Sequence, residues 1–110
     1  MVFDGHSAVS VISIGELEAG VELAKSAEIR NARRRRLDLL AQAFEPIVVD
    51  EDVAVEYGRL LAHARRTGRV QKATDLLIAA TAGVTGRTLW TQDEAQASLA
   101  EEANVSTRLV

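Results

Sequence analysis

Three acidic residues, far apart in the chain, stand just after predicted strands or at the start of predicted helices. They are Glu16, Asp75 and Asp93. Ligands of parallel sheets bind beyond the carboxyl ends of the strands, so side chains at such positions can meet at one edge. The chain has no cysteine, which leaves oxygen atoms or the two histidines as ligands for any metal ion. The three acids are therefore candidate ligands of a cation.

Each acid also has a local explanation. The segments Ser13–Glu16 and Thr91–Glu94 both have the form of a capping box, in which an acidic side chain bonds back to the start of its own helix. In the second segment, Asp93 would be a first-turn acid favoured by the helix dipole. Asp75 differs, because the residues after it are almost all apolar and a carboxylate buried there without a partner is costly. Spacing alone leaves the local and the functional interpretations open.

The elements that must position these acids alternate between short β-branched runs and longer stretches with helical periodicity. We predict strands at 8–11, 47–49 and 88–91, with a last strand near 105–110. We predict helices from about residue 14, over 31–43, 50–64 and 71–82, and from about residue 92. Helix 71–82 is apolar nearly all round, which predicts that it is buried. The alternation predicts an α/β fold with right-handed crossovers and a parallel sheet.

The composition is that of one globular domain. With 47% hydrophobic but only 4% aromatic residues in a chain of 110, the core must be built from Ala, Val, Leu and Ile. No stretch is long and apolar enough to cross a membrane, and the lack of cysteine fits a reducing compartment, so we expect a cytoplasmic protein. The net charge of −3 argues against a protein that coats nucleic acid through bulk charge.

The basic residues are nevertheless clustered. The block Arg33–Arg36 is either a solvated helix face or part of an RNA-binding groove. A second cluster precedes Asp75, and its members Arg65, Arg69 and Lys72 are candidates for contacts with phosphate groups.

Three motifs, in this order, resemble the PIN domains of VapC toxins along nearly the whole chain. Ser10–Val21 resembles the family segment "S-x-I-(S/T)-x-x-E-L-x-x-G". Ala73–Ala82 is similar to the helix "D-x-x-I-A-A-T-A", and Leu89–Asp93 to "L-x-T-x-D". The resemblance implies a PIN-like three-layer α/β/α fold with a parallel sheet. It also implies the toxin of a type II toxin–antitoxin system, an endoribonuclease dependent on Mg²⁺ that cuts a structured RNA and binds a cognate antitoxin.

The resemblance also implies roles for single residues. Carried over by motif, Glu16, Asp75 and Asp93 are three of the family's catalytic, metal-binding acids, and Thr91 is the hydroxyl residue that accompanies the last of them. Mg²⁺, or Mn²⁺ in its place, takes one or two carboxylates plus waters and activates a water for attack on a phosphodiester. Glu16 and Asp75 would hold the metal, and Asp93 would bind a second ion or orient the water.

The match fails at the beginning of the chain. Family members open with a central strand that ends in "D-T-(S/N)", and nothing before Glu16 matches it. Asp4 is the only acid there, and we interpret it as a turn residue. We therefore expect residues 1–110 to be one N-terminally incomplete PIN domain, with a homodimer or an exchanged strand covering the gap. The alternative is a catalytically inactive remnant that dimerises or binds an antitoxin.

Overall fold

The computed structural model describes residues 8–110, and Asp4 lies outside them. Within this range the chain alternates short strands and helices along its length. The helices are α1 (Val11–Glu22), α2 (Ala27–Ala43), α3 (Glu51–Arg66), α4 (Ala73–Thr85) and α5 (Glu94–Glu102). The strands are β1 (Ala8–Ser10), β2 (Glu45–Ile47), β3 (Leu89–Thr91) and β4 (Thr107–Leu109).

The strands of residues 8–110 associate as two parallel pairs. β1 lies beside β2, with Val9 opposite Pro46. β3 lies beside β4, with Trp90 opposite Arg108. The guanidinium carbon of Arg108 is 5.2 Å from the centre of the Trp90 ring, a cation–π contact across the second pair. The predicted α/β fold with parallel strands is confirmed.

The core is organised around α4. This helix packs along α3, and residues of β3, α5 and the segment before β4 complete the buried cluster. Ile78 and Ala80 of α4 and Leu89 of β3 have no exposed surface. Ile12 of α1 and Ile47 of β2 pack against this cluster and join the first strand pair to it. The prediction that the apolar helix 71–82 is buried is confirmed.

The start of α1 differs from the prediction. The helix begins at Val11 because the hydroxyl of Ser10 accepts a hydrogen bond from the amide of Ile12 at 3.1 Å and so caps it. Ser13 is therefore inside the helix, and the predicted capping box of Ser13 and Glu16 is wrong. The Ser13 hydroxyl is buried and has no hydrogen-bond partner within residues 8–110.

Strand β2 also lies earlier than predicted. It covers Glu45–Ile47 and not 47–49, and Val48 is 62% exposed. α2 ends at Ala43, after which the backbone is extended, as the residues before a proline prefer. The strand then follows at once, because Pro46 can occupy a position in a short strand without donating a hydrogen bond. Asp50 caps α3 as predicted and accepts from the amide of Val53 at 2.9 Å.

Among the described helices, none is long and apolar enough to pass through a membrane.

The central position of α4 predicts the effect of a truncation on stability. Leu76 is 1% exposed, so Leu76→Ala removes buried methyl groups and leaves a cavity, which costs about 2–5 kcal/mol of the free energy of unfolding. Leu39 of α2 is 65% exposed, and Leu39→Ala is the matched control, with a change within about 0.5 kcal/mol. Urea denaturation measures both, and equal losses would contradict this core.

Candidate active site

Two of the three predicted acids line the same cavity. The cavity has a volume of about 470 Å³ and lies where the start of α4 meets the end of β3 and the start of α5. Asp75 and Asp93 contribute to its wall, together with Thr91, Gln92 and Gln96. Asp75 and Asp93 are 18 positions apart in the sequence, and the fold brings them to one cavity. The cavity lies beyond the carboxyl end of β3, where ligands of parallel sheets bind.

Asp93 is the N-cap of α5. One carboxylate oxygen, Oδ1, accepts hydrogen bonds from the amides of Ala95 at 2.9 Å and Gln96 at 3.1 Å. The helix therefore begins at Glu94, two residues after the predicted start, and Asp93 is a cap and not a first-turn residue. The cap orients the carboxylate of Asp93 through Oδ1, which accepts both hydrogen bonds.

Asp75 lies in the first turn of α4, at the border between the apolar core and the cavity. Lys72, at the N-cap position, provides no side-chain cap, so the carboxylate of Asp75 is the acidic group that compensates the helix dipole there. Asp75 is half-buried, and its Oδ2 accepts a hydrogen bond from Nε2 of Gln71 at 3.3 Å. The apolar residues that follow are buried, whereas the carboxylate remains accessible, so the fold avoids the cost of an unpartnered buried charge.

Thr91 and Gln96 connect the two acids by hydrogen bonds. The Thr91 hydroxyl donates to Oε1 of Gln96 at 2.6 Å and accepts from the amide of Asp93 at 3.0 Å. Nε2 of Gln96 donates to the backbone carbonyl of Asp75 at 3.0 Å. Thr91 is 3% exposed, and its hydroxyl serves this network; the interpretation of Thr91 as a substrate-binding residue stays a prediction.

Sequence reasoning missed Gln96. It lies in a stretch that was predicted to be a polar helix, where a glutamine is most simply interpreted as a solvated residue. In the structure it is 2% exposed. One signal for its burial was available in the spacing. Gln96 lies three residues after Asp93 and four before the apolar Ala100, so the three share one face of the helix.

Glu16 lies apart from this cavity. It is exposed on α1 and lines a different groove, between α1 and α2. Among residues 8–110 there is no group of three or more Asp, Glu, His or Cys side chains close enough to hold one metal ion. Glu16, Asp75 and Asp93 are thus not gathered as one trio among residues 8–110, and their roles at a site stay predictions.

The predicted phosphate-binding residues are dispersed around the start of α4. Arg69 pairs with Glu102 of α5, which also contacts His63 at 3.0 Å. Arg65 is exposed in the last turn of α3, and Lys72 is exposed just before α4. Of these basic residues, Arg69 is therefore committed to a protein partner, and contacts of Arg65 and Lys72 with phosphate remain predictions.

A family model described as a PIN domain matches residues 4–102. The chain belongs to the PIN domain family. It is 36% identical over 98 residues to Ribonuclease VapC5 of Mycobacterium tuberculosis, covering 89% of this chain and 72% of that protein. The resemblance that the three motifs indicated is confirmed.

Solved structures agree with this assignment of the PIN domain. A crystal structure of VapBC-5 from Mycobacterium tuberculosis, a member of the VapBC family of toxin–antitoxin systems, matches with a TM-score of 0.85 at 35% identity. That match covers 94% of this chain and 81% of the other. The structure of FitAcB from Neisseria gonorrhoeae matches with a TM-score of 0.73 at 30% identity and covers 91% and 72% of the two chains.

Asp75 and Asp93 offer carboxylate oxygens to the cavity of this PIN domain, and such oxygens are the donors that Mg²⁺ prefers. Mg²⁺ in proteins is typically held by one or two carboxylates and keeps several waters, and a cavity of about 470 Å³ leaves room for them. Asp75 and Asp93 supply oxygen donors from two rigid elements, a helix start and a strand end. Glu16 does not take part in this donor set as the cavity is built.

The cluster around Glu102 gives a prediction about pH. The hydrogen bonds from Arg69 and then from His63 lower the pKa of Glu102 below its ordinary value. Because the pKa of Glu102 is lowered in the folded protein, its interactions stabilise the fold fully above the pKa that Glu102 has in the unfolded chain. This stabilisation is lost as the pH falls through the pKa of Glu102 in the folded protein. We expect Arg69→Met to raise the pKa of Glu102, as followed by NMR titration of its carboxyl carbon. An unchanged titration midpoint would show that Arg69 is not its main partner.

Proposed function

We propose that this PIN domain is the toxin of a toxin–antitoxin pair, an endoribonuclease that hydrolyses RNA phosphodiester bonds in the cytoplasm. The observation that carries the proposal is the convergence of Asp75 and Asp93 on one cavity, in a family whose curated relatives include ribonucleases. The VapC5 ribonuclease shares 36% identity with this chain over most of its length. A structured RNA is the expected substrate.

Asp75 and Asp93 are the proposed catalytic and metal-binding residues. Together they would hold a Mg²⁺ ion, or Mn²⁺ in its place, because both offer carboxylate oxygens to the same space. When bound, such an ion neutralises charge on the phosphate and lowers the pKa of a nearby water. The chain's own contribution is to fix the direction of the carboxylates, through the α5 cap for Asp93 and through Gln71 for Asp75. Glu16, the third predicted ligand, lines the groove between α1 and α2 and not this cavity.

The antitoxin is the proposed protein partner, and the groove between α1 and α2 is its proposed contact surface. The groove has a volume of about 480 Å³, and its walls are mostly apolar. Leu17 and Leu39 are 41% and 65% exposed there, which is a cost unless a partner covers them. The structure that matches with a TM-score of 0.85 is described as a member of a toxin–antitoxin family. An amphipathic antitoxin helix fits an apolar groove of this kind.

Charged residues line the rim of the same groove. Arg33 and Arg36 of α2 and Glu16 of α1 contribute to it. Arg33 also donates to the carbonyl of Gly20 at 2.7 Å, and Arg34 pairs with Glu18 at 2.6 Å, so this arginine block holds α2 against α1. Arg33 and Arg34 therefore support the groove, while the exposure of Arg33, Arg35 and Arg36 agrees with a solvated helix face.

Substitution of the cavity acids tests the proposed activity. We expect Asp75→Asn and Asp93→Asn each to lower the rate of metal-dependent RNA cleavage about 100-fold or more, because even changes around a metal ligand cost about 10–100-fold. Asp52→Asn is the matched control, since Asp52 is exposed in the first turn of α3. Cleavage of a structured RNA is measured with Mg²⁺ and with chelator. Full activity of both variants, or of the chelated protein, would reject the proposal.

A second candidate is an inactive remnant that only binds the antitoxin. It is favoured by the lack of a group of three or more metal-binding side chains among residues 8–110 and by the position of Glu16 in a different groove. In this case no RNA would be cut with any metal ion, while the antitoxin would still bind.

The groove gives a prediction that both candidates share. Leu39→Asp places a charge on an apolar wall and should weaken binding of the co-expressed cognate antitoxin about tenfold or more. Val70→Asp is the control, because Val70 is 100% exposed and lies outside the groove. Titration calorimetry compares the dissociation constants. Equal affinity of wild type and Leu39→Asp would place the antitoxin elsewhere.

A further inference from the structure

Gln96 is a buried polar side chain in the middle of the candidate site. It is 2% exposed, and its side-chain oxygen and nitrogen have hydrogen-bond partners on β3 and α4 respectively. A buried amide without partners is costly, so a fold retains one only where the surrounding groups match it. The partners here are Thr91 and the backbone of Asp75, while the backbone amide of Gln96 bonds to Asp93.

The hydrogen bonds permit only one orientation of the Gln96 amide. The carbonyl of Asp75 can only accept, so it must face the NH₂ group of Gln96. The amide oxygen then faces Thr91, whose hydroxyl hydrogen is committed to it at 2.6 Å. Thr91 is left to accept from the amide of Asp93. The network therefore has a fixed direction, from Asp93 through Thr91 and Gln96 to Asp75.

We propose that Gln96 is a positioning residue that sets the separation of the Asp75 and Asp93 carboxylates. The inference rests on the proposed ribonuclease function. The side chain of Gln96 links the first turn of α4 to Thr91 at the end of β3, and Thr91 in turn accepts from the backbone amide of Asp93. It touches neither substrate nor metal in this role. It would affect the reaction only by holding the two acids in place, as groups that are hydrogen-bonded to metal ligands do.

The test uses Gln96→Met, which keeps the length of the side chain and removes the amide. We expect it to lower kcat for RNA cleavage and the affinity for Mn²⁺ by about 10–100-fold, with little change in KM for RNA. Gln42→Met is the matched control, since Gln42 is exposed on α2 and should leave all three quantities unchanged. Circular dichroism and thermal melting establish that the variants are folded. A folded Gln96→Met protein with wild-type kcat overturns the proposal.

A double-mutant cycle separates positioning from simple loss of packing. Thr91→Val removes the hydroxyl of the same network at nearly constant shape. If Thr91 and Gln96 act as one unit, the double variant loses no more kcat than the worse single variant, whereas independent effects multiply. Multiplying effects overturn the proposal. Should Gln96→Met fail to fold, Gln96→Glu decides, because it keeps the acceptor for Thr91 but loses the donor to Asp75, and wild-type kcat in that variant overturns the inference.

Failure of the proposed function gives a different result. In that case the wild-type protein itself cuts no RNA and binds no Mn²⁺, and the inference falls with it. If the wild-type protein cuts RNA and the Gln96 variants cut it equally well, the ribonuclease function stands and the role of Gln96 is rejected.

Discussion

The burial of α4 is the constraint on which the rest of this PIN domain depends. The helix is apolar on nearly all sides, so it must be enclosed by α3, α5 and β3, and its burial supplies much of the hydrophobic stabilisation. Its first turn is the exception, since Asp75 there remains half-buried beside a cavity. Enclosing α4 brings the end of β3 and the start of α5 to the same place. The candidate site is thus a consequence of how the core is packed.

The polar network around Gln96 adds direction to this packing. Hydrophobic contacts bring helices together but do not fix a carboxylate to within a fraction of an ångström. Hydrogen bonds between Thr91, Gln96 and the backbone of Asp75 tie the end of β3 to the first turn of α4, because each donor in the network faces an acceptor. Since the network is buried, leaving one of its groups unpaired would carry the full cost of desolvation.

The sequence predicted the elements and most of the parallel topology, but not how the acids combine. Periodicity identified α4, and the cap of α3 at Asp50 could be predicted because its signal is local. The bounds of β2 could not, since Val48 and Val49 are strand formers that lie outside the strand. Glu16 lines the groove between α1 and α2 and not the cavity of Asp75, and this depends on how the helices pack, which no spacing encodes. Gln96 was missed because a glutamine in a polar stretch gives no sign of burial.

The central claim is that Asp75 and Asp93 form one oxygen-donor site without requiring Glu16. A crystal of the protein soaked with Mn²⁺ tests it directly through the anomalous signal of the metal. The account predicts a peak within coordination distance of carboxylate oxygens from both Asp75 and Asp93. A peak at Glu16 alone, or no peak in the cavity, would contradict it.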